Sequence, residues 1–453
     1  MAKHNDDFIN RERMLRDFTD IISIDSPSLK ERKMAAALRA KLESEGFAVY
    51  EDGAGEITGG ECGNLIAVLP ASDGLNSTEC GRDACVSEGG GERGDGAGGG
   101  CGALPVVALL AHMDTVGPCE NKRWTVEGDI IRSDGNTILG GDDAAGIVAT
   151  LEIARRVKED NIRHGGILII YTIAEEIGLD GAKNLDHALI RSALGGDAAK
   201  AYKSVGKDNS NATESDGDDG AVANGDSGAV GGGFPQFCFV FDSGGPPGSV
   251  VNRAPSHTDI IITVKGAAAH AGIAPEKGIN AIATLSDAIA HMPLGRIDEE
   301  TTANIGIIRG GDARNVVCES ATAEGEARSQ NKQSLITQVA AMKSCVADAC
   351  ERRGATFEFK EITSYNAFSL TDNDLVIKLL TAAAKNRGSV LKLVPTGGGS
   401  DANILNAMGI PAANLPIGMY EVHSTREYTN LRETSETVEL VVEAFRLLAS
   451  QFS

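Results

Sequence analysis

Three short apolar segments dominate the first half of the chain and predict its central strands. They are V-V-A-L-L-A at 106–111, I-L-I-I-Y-T-I-A at 167–174 and F-C-F-V-F at 237–241. Their continuous apolar character and β-branched or aromatic residues are typical of strands buried on both faces of a sheet. A histidine or an acidic residue directly follows each segment: His112, Glu175 and Asp242. Because the carboxyl ends of such strands open on one crevice, we expect these side chains to lie together.

A helix is expected between the first two of these strands. Apolar residues repeat at helical spacing at Ile147, Leu151, Ala154 and Val157. This spacing predicts a helix from about 143 to 158. Asp142 and Asp143 stand where the N-cap of that helix belongs. An isolated Asp pair before a helix favours simple capping, whereas its position beside the predicted strand ends favours a role in a shared site.

Further along the chain, alternating strands predict a second domain at about 255–366. The strands include T-D-I-I-I-T-V-K at 258–265 and F-E-F-K-E-I at 357–362. Between them, apolar residues at helical spacing in 279–292 and 334–346 predict two helices. We expect these helices to pack on one face of the sheet, which gives an α+β domain.

Composition limits the class of protein. With 453 residues and 42% hydrophobic content, the chain can bury a large core, and its length predicts two domains. Its net charge of −22 argues against nucleic-acid binding, which needs clustered Lys and Arg. The chain starts without a signal-peptide pattern, and no stretch reaches the roughly 18 apolar residues of a membrane span. We therefore expect a cytoplasmic protein with neither a membrane nor a nucleic-acid partner.

Two segments rich in Gly, Ser and charged residues, 73–103 and 203–233, interrupt the regular elements. They contain too little apolar surface to offset chain entropy, which predicts mobile surface insertions. Cys80, Cys85 and Cys101 fall in the first insertion, so a metal or redox role there remains open beside the simpler reading of a solvated loop. The nine cysteines form no C-x-x-C motif, and reduced thiols are expected.

Two short motifs at the predicted crevice suit metal chemistry. His112 and Asp114 are two residues apart, so in extended backbone one can bind a metal while the other sits behind it. Glu175 and Glu176 are adjacent and would point to opposite faces of an extended chain, one toward a metal and one toward a water. Neighbouring carboxylates repel each other unless a cation lies nearby. Alone, an H-x-D triplet is more often an ordinary strand end, and a Glu pair is more often solvated.

Five longer motifs identify a resemblance that covers the chain outside the insertions. They are A-H-M-D-T-V at 111–116, I-R-S-D-G-N-T-I-L-G-G-D-D-A-A-G at 131–146, G-A-A-A-H-A-G at 266–272, P-L-G-R-I-D-E-E-T-T-A-N-I-G at 293–306 and T-G-G-G-S-D-A-N at 396–403. The chain resembles the co-catalytic zinc peptidases, a family that includes peptidase T, carboxypeptidase G, succinyl-diaminopimelate desuccinylase and the aminoacylases. The closest likeness is to the peptidase T-like tripeptidase branch.

The resemblance implies an α/β fold in two parts. The catalytic domain would be a mixed sheet with helices on both faces, formed by residues 1–254 and 367–453. An α+β lid and dimerisation domain, residues 255–366, would be inserted in it. The expected assembly is a homodimer formed through the lid, with a short peptide as substrate.

Carried over position by position, the resemblance implies two metal ions bridged by Asp142. One would be held by His112, Asp142 and Asp242, the other by Asp142, Glu176 and His423, with room for a shared water. Zinc suits imidazole and carboxylate ligands, although manganese or cobalt could occupy the same set. Two such ions about 3.5 to 4 Å apart would polarise a scissile carbonyl and stabilise the developing oxyanion.

Two further residues of the catalytic domain have implied roles. Glu175 matches the general base that takes a proton from the water and later returns it to the leaving amine. Asp114 matches the carboxylate that orients His112 from behind.

Three residues of the lid have implied roles in substrate binding. His270 of one subunit would reach the active site of the other as an oxyanion donor. Asn304 and Arg328 match positions that contact substrate, and a guanidinium suits a terminal carboxylate. From the residues alone, His270 in an Ala-Gly loop would more often be structural, and Arg328 beside Glu326 could be a surface pair.

Three positions depart from the family pattern. Ala144 replaces the usual Lys, Cys318 the usual Pro and Pro416 the usual Gly. None of them removes a metal ligand or the general base. The lost Lys charge near Asp142 and a shifted loop before His423 could weaken turnover.

Two classes of function are open at this point. The first is a di-zinc exopeptidase, an aminopeptidase acting on short peptides such as tripeptides, with an N-acyl amidohydrolase or carboxypeptidase of the same family as the nearer alternative. The second is a metal-binding scaffold with weak or no catalysis. The intact Glu175 argues against the second, because a silent protein has no physical need for a general base beside its metals.

Overall fold

The computed structural model describes residues 9–72, 104–195 and 234–451. Both predicted insertions, with Cys80, Cys85 and Cys101, lie outside these residues. The chain divides into two compact units. The first comprises Met1–Val250, Thr371–Leu393 and Gly409–Ser453, and the second comprises Val251–Leu370 and Val394–Met408.

The regular elements follow one another along the chain with α and β segments mixed. The first part contains α1 (Arg11–Ile22), α2 (Arg32–Ser44), β1 (Ala48–Glu51), α3 (Ala54–Thr58), β2 (Leu65–Leu69), β3 (Val107–His112), β4 (Trp124–Glu127), β5 (Ile130–Ser133), α4 (Gly141–Glu159), β6 (Ile167–Thr172), α5 (Asp180–Lys183), α6 (His187–Leu194) and β7 (Phe237–Ser243). The middle part contains β8 (Ser249–Ala254), β9 (Ser256–Lys265), a 3₁₀ turn (Pro275–Lys277), α7 (Ala281–His291), β10 (Gly295–Arg296), β11 (Thr301–Gly310), β12 (Ser320–Ser329), α8 (Lys332–Arg353), β13 (Thr356–Tyr365) and β14 (Phe368–Ser369). The last part contains α9 (Leu375–Asn386), β15 (Lys392–Pro395), α10 (Asp401–Ala407), β16 (Ala412–Pro416), β17 (Met419–Tyr420), β18 (Tyr428–Asn430) and α11 (Leu431–Gln451).

The first unit is built on a mixed sheet with the strand order β1-β2-β6-β3-β7-β16. Strand β3 is parallel to β6 and β7, and β16 is parallel to β7. Strands β1 and β2 are antiparallel to each other, and β2 is antiparallel to β6. Every residue of β3 and β6 is buried, so both faces of the sheet are covered, as the continuous apolar segments predict.

Aromatic side chains pack the last helix of this unit against its sheet. Helix α4 packs against β3 and β7, and α11 packs against α4 and α9. The ring of Phe239 on β7 lies 5.4 Å from that of Phe237 and 6.5 Å from that of Phe445 on α11. All three side chains are buried. A smaller sheet of order β17-β18-β5-β4 completes the unit.

The second unit contains a five-stranded antiparallel sheet of order β10-β11-β12-β9-β13. Burial alternates along β9, as expected for a sheet with one covered face. The inward side chains of Ile260, Ile262 and Val264 form a core with Leu285 of α7 and Met342 of α8. The sequence prediction of two helices on one face of this sheet is therefore confirmed.

Two simpler expectations concern membrane spans and thiols. None of the helices within the described ranges has the length and apolar character needed to cross a membrane. The cysteines in the described part of the chain are free thiols: Cys62, Cys119, Cys238, Cys318, Cys345 and Cys350.

Candidate metal centre

The parallel strands of the first unit bring several polar residues to one edge of its sheet. His112 is the last residue of β3 and is in register with Thr172, the last residue of β6. Asp242 lies near the end of β7. Glu175 and Glu176 lie in the turn that follows β6. The parallel pairing of β3 with both neighbours explains why these residues meet.

One group of potential ligands is formed by His112, Asp142 and Asp242. The Nε2 atom of His112 lies 3.1 Å from Asp142 Oδ1 and 4.0 Å from Asp242 Oδ1. Asn414 on the neighbouring strand β16 holds Asp242 in place. Its side-chain oxygen accepts from the Asp242 N–H at 3.0 Å, and its amide nitrogen donates to the Asp242 carbonyl at 2.8 Å. The sequence reading did not identify Asn414.

A second group is formed by Asp142, Glu176 and His423. The Nε2 atom of His423 lies 3.3 Å from Asp142 Oδ2 and 3.0 Å from Glu176 Oε2. In each group the potential ligand atoms all lie within 4.8 Å of one another. Asp142 therefore presents one carboxylate oxygen to each histidine, which is the arrangement of a bridging ligand.

The backbone around Asp142 is not regular helix. Helix α4 begins at Gly141, but Asp142 and Asp143 both have non-helical φ and ψ angles. Asp143 Oδ1 accepts a hydrogen bond from the Gly146 N–H at 3.0 Å, so Asp143 caps the regular part of the helix. The reading of Asp142 as a simple cap is wrong, because its carboxylate faces His112 and His423 instead.

Asp143 also supports the neighbouring ligand. It is buried, and its Oδ2 accepts a hydrogen bond from the backbone N–H of His112 at 3.2 Å. Burial, together with the negative charges of Asp242 and Asp142, raises the pKa of Asp143 well above its usual range. A carboxyl group so placed is costly in free energy unless positive charge is nearby.

The two glutamates after β6 lie in a turn rather than in extended chain, which corrects the sequence prediction. Ala174 has a positive φ of 51°, and the carbonyl of Glu175 accepts hydrogen bonds from the N–H groups of Gly178 and Leu179. Glu175 is buried and Glu176 is half-buried. The strand ends at Thr172, so the alternation of faces assumed for 175 and 176 does not apply.

Asp114 contacts both His112 at the end of β3 and the turn that contains Glu175 and Glu176. Its carboxylate accepts hydrogen bonds from the N–H groups of Glu175 at 2.9 Å and Glu176 at 3.2 Å, and from the Ser28 hydroxyl at 2.6 Å. The Nδ1 atom of His112 lies 2.9 Å from the Asp114 carbonyl oxygen and 3.6 Å from its carboxylate. Asp114 thus lies behind the imidazole and also fixes the backbone of both glutamates.

Glu31, at the start of α2, is a buried acid that the sequence reading missed. Its Oε1 accepts hydrogen bonds from the N–H groups of Leu29 at 2.8 Å and Ala174 at 3.1 Å. It holds the residue before Glu175, and the next two N–H groups of the turn bind Asp114. Burial and the charge of Asp114 raise the pKa of Glu31 to about 7.

The two histidines respond strongly to the surrounding carboxylates. Hydrogen bonds with Asp142 and Glu176 raise the pKa of His423 to about 10. Burial alone would lower the pKa of His112, but hydrogen bonds with Asp114 and Asp142 hold it well above its usual value. In the protein without metal, these contacts favour the protonated form of both imidazoles. Metal binding requires neutral imidazole, so an incoming cation would replace those protons.

The donor set fits divalent metal ions. Imidazole nitrogen and carboxylate oxygen are ligands that zinc, manganese and cobalt share. In a tetrahedral zinc site with bonds of about 2.1 Å, ligand atoms are about 3.4 Å apart. The measured separations of 3.1 and 4.0 Å in the first group and 3.0 and 3.3 Å in the second lie around that value.

Comparison with known proteins places the chain among peptidases. A family model for a peptidase dimerisation domain of the M20 type matches residues 256–353, and one for peptidase family M28 matches residues 100–205. The uncharacterised protein YqjE of Bacillus subtilis is 33% identical over 96% of this chain and 98% of its own length.

Two solved structures are similar over the whole chain. Aminopeptidase PepT from Bacillus cereus is 33% identical, with a TM-score of 0.75 over 98% of this chain and all of that one. A tripeptidase from Staphylococcus aureus is 30% identical, with a TM-score of 0.77 and the same coverage. The chain belongs to the peptidase T-like branch of the M20 peptidases. Its fold, a catalytic α/β domain with an M20 dimerisation domain, is that of the branch.

The remaining predicted residues of this M20 peptidase lie in the second unit. His270 is exposed, and its Nδ1 accepts a hydrogen bond from the Gly272 N–H at 3.2 Å. Arg328 donates two hydrogen bonds to Glu326, at 3.1 and 2.9 Å. Asn304 is exposed and is in register with Glu326 across β11 and β12. Because side chains two residues apart share a face, Arg328 and Glu326 point to the same side of the sheet.

We predict that Glu31→Gln raises the free energy of unfolding of the metal-free peptidase at pH 8. At pH 5 the same substitution should raise it much less. A carboxyl whose pKa rises from 4.5 to about 7 on folding binds more protons in the folded chain, so the free energy of unfolding falls as pH rises between those values. Glutamine does not ionise and avoids this loss, which amounts to roughly 1–3 kcal/mol. Urea unfolding at both pH values, after removal of metal by a chelator, measures the difference.

The exposed Glu120→Gln serves as the control and should change stability equally little at both pH values. A Glu31→Gln protein that is destabilised to the same extent at pH 5 and pH 8 would contradict the raised pKa.

Proposed function

We propose that this protein is a metal-dependent aminopeptidase that releases the N-terminal residue of short peptides, with tripeptides as its main substrates. The observation that carries the proposal is the position of Asp142, whose two carboxylate oxygens face His112 and His423 separately. Buried Glu175 lies in the turn beside this centre. The similarity to a solved aminopeptidase and a solved tripeptidase supports the substrate class.

The metal ligands in this proposal come from five side chains. His112, Asp142 and Asp242 would hold one ion, and Asp142, Glu176 and His423 the other. We propose zinc as the metal, because its usual ligands are imidazole and carboxylate. When bound, two such cations would polarise the scissile carbonyl and stabilise the negative charge that develops on its oxygen.

Glu175 is proposed as the general base of the reaction. Its carboxylate would accept a proton from the attacking water and then deliver it to the nitrogen of the leaving amine, so that no net charge accumulates on the protein. The backbone N–H of Glu175 is held by Asp114 at 2.9 Å, and that of the preceding Ala174 by Glu31 at 3.1 Å. These two hydrogen bonds fix the backbone of the turn and therefore the position of the Glu175 side chain.

The second unit is proposed to recognise substrate and to form the dimer. The match to a peptidase dimerisation domain over residues 256–353 supports a homodimer formed through this unit. His270 is proposed as an oxyanion donor to the partner subunit, with Asn304 contacting the peptide. Arg328 is proposed to bind the terminal carboxylate, in exchange for its present pairing with Glu326.

A second activity class within the family stays open as an alternative. An N-acyl amidohydrolase or a carboxypeptidase could use the same metal ligands and the same base. A metal-binding scaffold could also retain the ligands, but it would have no use for a buried carboxylate at position 175. The class of substrate that the protein cleaves distinguishes these alternatives.

We predict that the zinc-loaded protein cleaves free tripeptides and releases their first residue, and that Glu175→Gln reduces kcat by about 10²- to 10⁴-fold. The variant should retain its metal, because Glu175 is not one of the proposed ligands. The assay is mass detection of products from tripeptides, dipeptides, N-blocked peptides and N-acyl amino acids, together with metal analysis of both proteins.

Glu120→Gln, an exposed acid outside the centre, is the matched control and should be as active as the unmodified protein. Cleavage of only the acylated substrates would move the assignment to the amidohydrolases. Absence of turnover with zinc, manganese and cobalt alike would favour the scaffold.

We further predict that Arg328→Lys raises the KM for free tripeptides by about 10- to 100-fold, because a lysine cannot reproduce the two-pronged contact with a carboxylate. A tripeptide with an amidated C-terminus should show no such difference between the two proteins. Steady-state kinetics on the two peptides gives the comparison.

Arg309 provides the control, since it also pairs with a glutamate, in its case Glu324 of the adjacent strand, but is largely exposed. Arg309→Lys should leave both KM values unchanged. If Arg328→Lys affects the free and the amidated peptide equally, Arg328 is only the structural partner of Glu326.

A further inference from the structure

Glu427 is a buried carboxylate beside the centre that none of the roles above uses. It stands four residues after His423 and directly before β18, and only 1% of its surface is exposed. Its backbone carbonyl accepts a hydrogen bond from the N–H of Ser133 on β5 at 3.0 Å. Glu427 is therefore fixed to the small sheet at the base of the loop that presents His423.

The carboxylate of Glu427 binds three backbone N–H groups at the start of α4. Its Oε2 accepts from Leu139 at 2.7 Å and from Gly140 at 2.9 Å, and its Oε1 accepts from Asp142 at 3.0 Å. This segment departs from helical geometry, with Gly140 at a positive φ of 76°. Its N–H groups have no helical partner, so the carboxylate takes the place of the missing backbone acceptors.

The neighbouring residues make this contact close. A Cβ atom added at Gly141 would overlap the hydroxyl of Thr429 and lie 3.1 Å from Glu427 Oε1. The segments 139–142 and 427–429 are thus in direct contact, and glycine is the residue that permits it. One of these segments carries Asp142, and the other is continuous with His423.

We propose that Glu427 is a positioning residue that fixes the Asp142 segment against the His423 segment and so sets the affinity of the metal position formed by Asp142, Glu176 and His423. This inference rests on the metal sites proposed above. His423 is largely exposed, with 52% of its side chain accessible, and lies in a loop. Buried Asp142 and exposed His423 therefore keep their 3.3 Å separation only while their two segments stay together.

Both carboxylate oxygens of Glu427 are needed as acceptors. A glutamine has one acceptor oxygen, so at most the bonds to Leu139 and Gly140 survive, and its amide NH₂ then faces the N–H of Asp142. Two donors facing each other in a buried place repel and leave the Asp142 N–H unpaired. Residues that orient metal ligands from behind typically change metal affinity or activity by 10- to 100-fold when altered.

The test is a calorimetric titration of metal-free protein with Zn²⁺, with a competing chelator to reach high affinities. The unmodified protein should bind two ions. In Glu427→Gln, one ion should bind with an affinity within about threefold of normal and the other 10- to 100-fold more weakly. Excess Zn²⁺ should then restore peptidase activity to the variant, which a general loss of folding would not allow.

Gly141→Ala tests the same contact from the other side and protects against misfolding of a single variant. Each substitution should lower the affinity for the same Zn²⁺ ion. The double variant should bind that ion no more weakly than the more affected single variant, because both substitutions break one contact. Glu152→Gln, a buried acid of α4 that pairs with Arg13, is the control and should bind both ions normally.

The outcomes separate this inference from the proposed function. If the unmodified protein fails to bind two ions, the proposed metal sites are wrong. If it binds two ions and folded Glu427→Gln binds both with normal affinity, or loses both equally, Glu427 has no selective positioning role.

Discussion

The candidate metal centre depends on several carboxylates that the fold holds in one buried place. Asp114, Asp142, Asp143 and Glu175 are all buried within the same crevice at the carboxyl ends of three parallel strands. Burial in this neighbourhood raises the pKa of Asp143 and of Glu176. A cluster of this kind is unfavourable by itself, so it favours the binding of cations. The two histidines lie on either side of Asp142, which is where the proposed centre would hold its two cations.

Backbone N–H groups reduce the cost of this cluster and fix its geometry at the same time. Each supporting carboxylate accepts a hydrogen bond from a segment that carries a candidate site residue. Asp114 and Glu31 hold the turn of Glu175, Asp143 holds the N–H of His112, and Glu427 holds that of Asp142. Apart from the N–H of His112 at the end of β3, these N–H groups belong to irregular backbone, which the buried acids stabilise in place of a sheet or helix.

The parts of this structure that follow from sequence are those with a strong local signal. The central strands are continuous apolar runs, and parallel pairing then brings His112 and Asp242 to one edge. His423 was identified as a candidate ligand through the resemblance to a known family, because it lies far along the chain in a loop without a distinctive residue pattern. The helices of the second unit were also visible, because their apolar residues repeat at helical spacing.

The supporting residues could not be found in the same way. Glu31 lies among charged residues and reads as part of a solvated helix, and Glu427 stands beside Arg426 in a polar loop. Their roles depend on long-range contacts. Glu31 contacts Ala174, and Glu427 contacts the segment from Leu139 to Asp142. The turn after β6 was not predicted from the sequence. It depends on a positive φ at Ala174, and the residue pattern I-A-E-E-I does not indicate one.

The most direct test of this account is the location of the metal ions in crystals of the zinc-loaded protein, measured by anomalous scattering at the zinc edge. We expect two peaks about 3.5 to 4 Å apart, one on each side of the Asp142 carboxylate. A single peak, or two peaks of which neither contacts Asp142, would contradict a centre bridged by that residue.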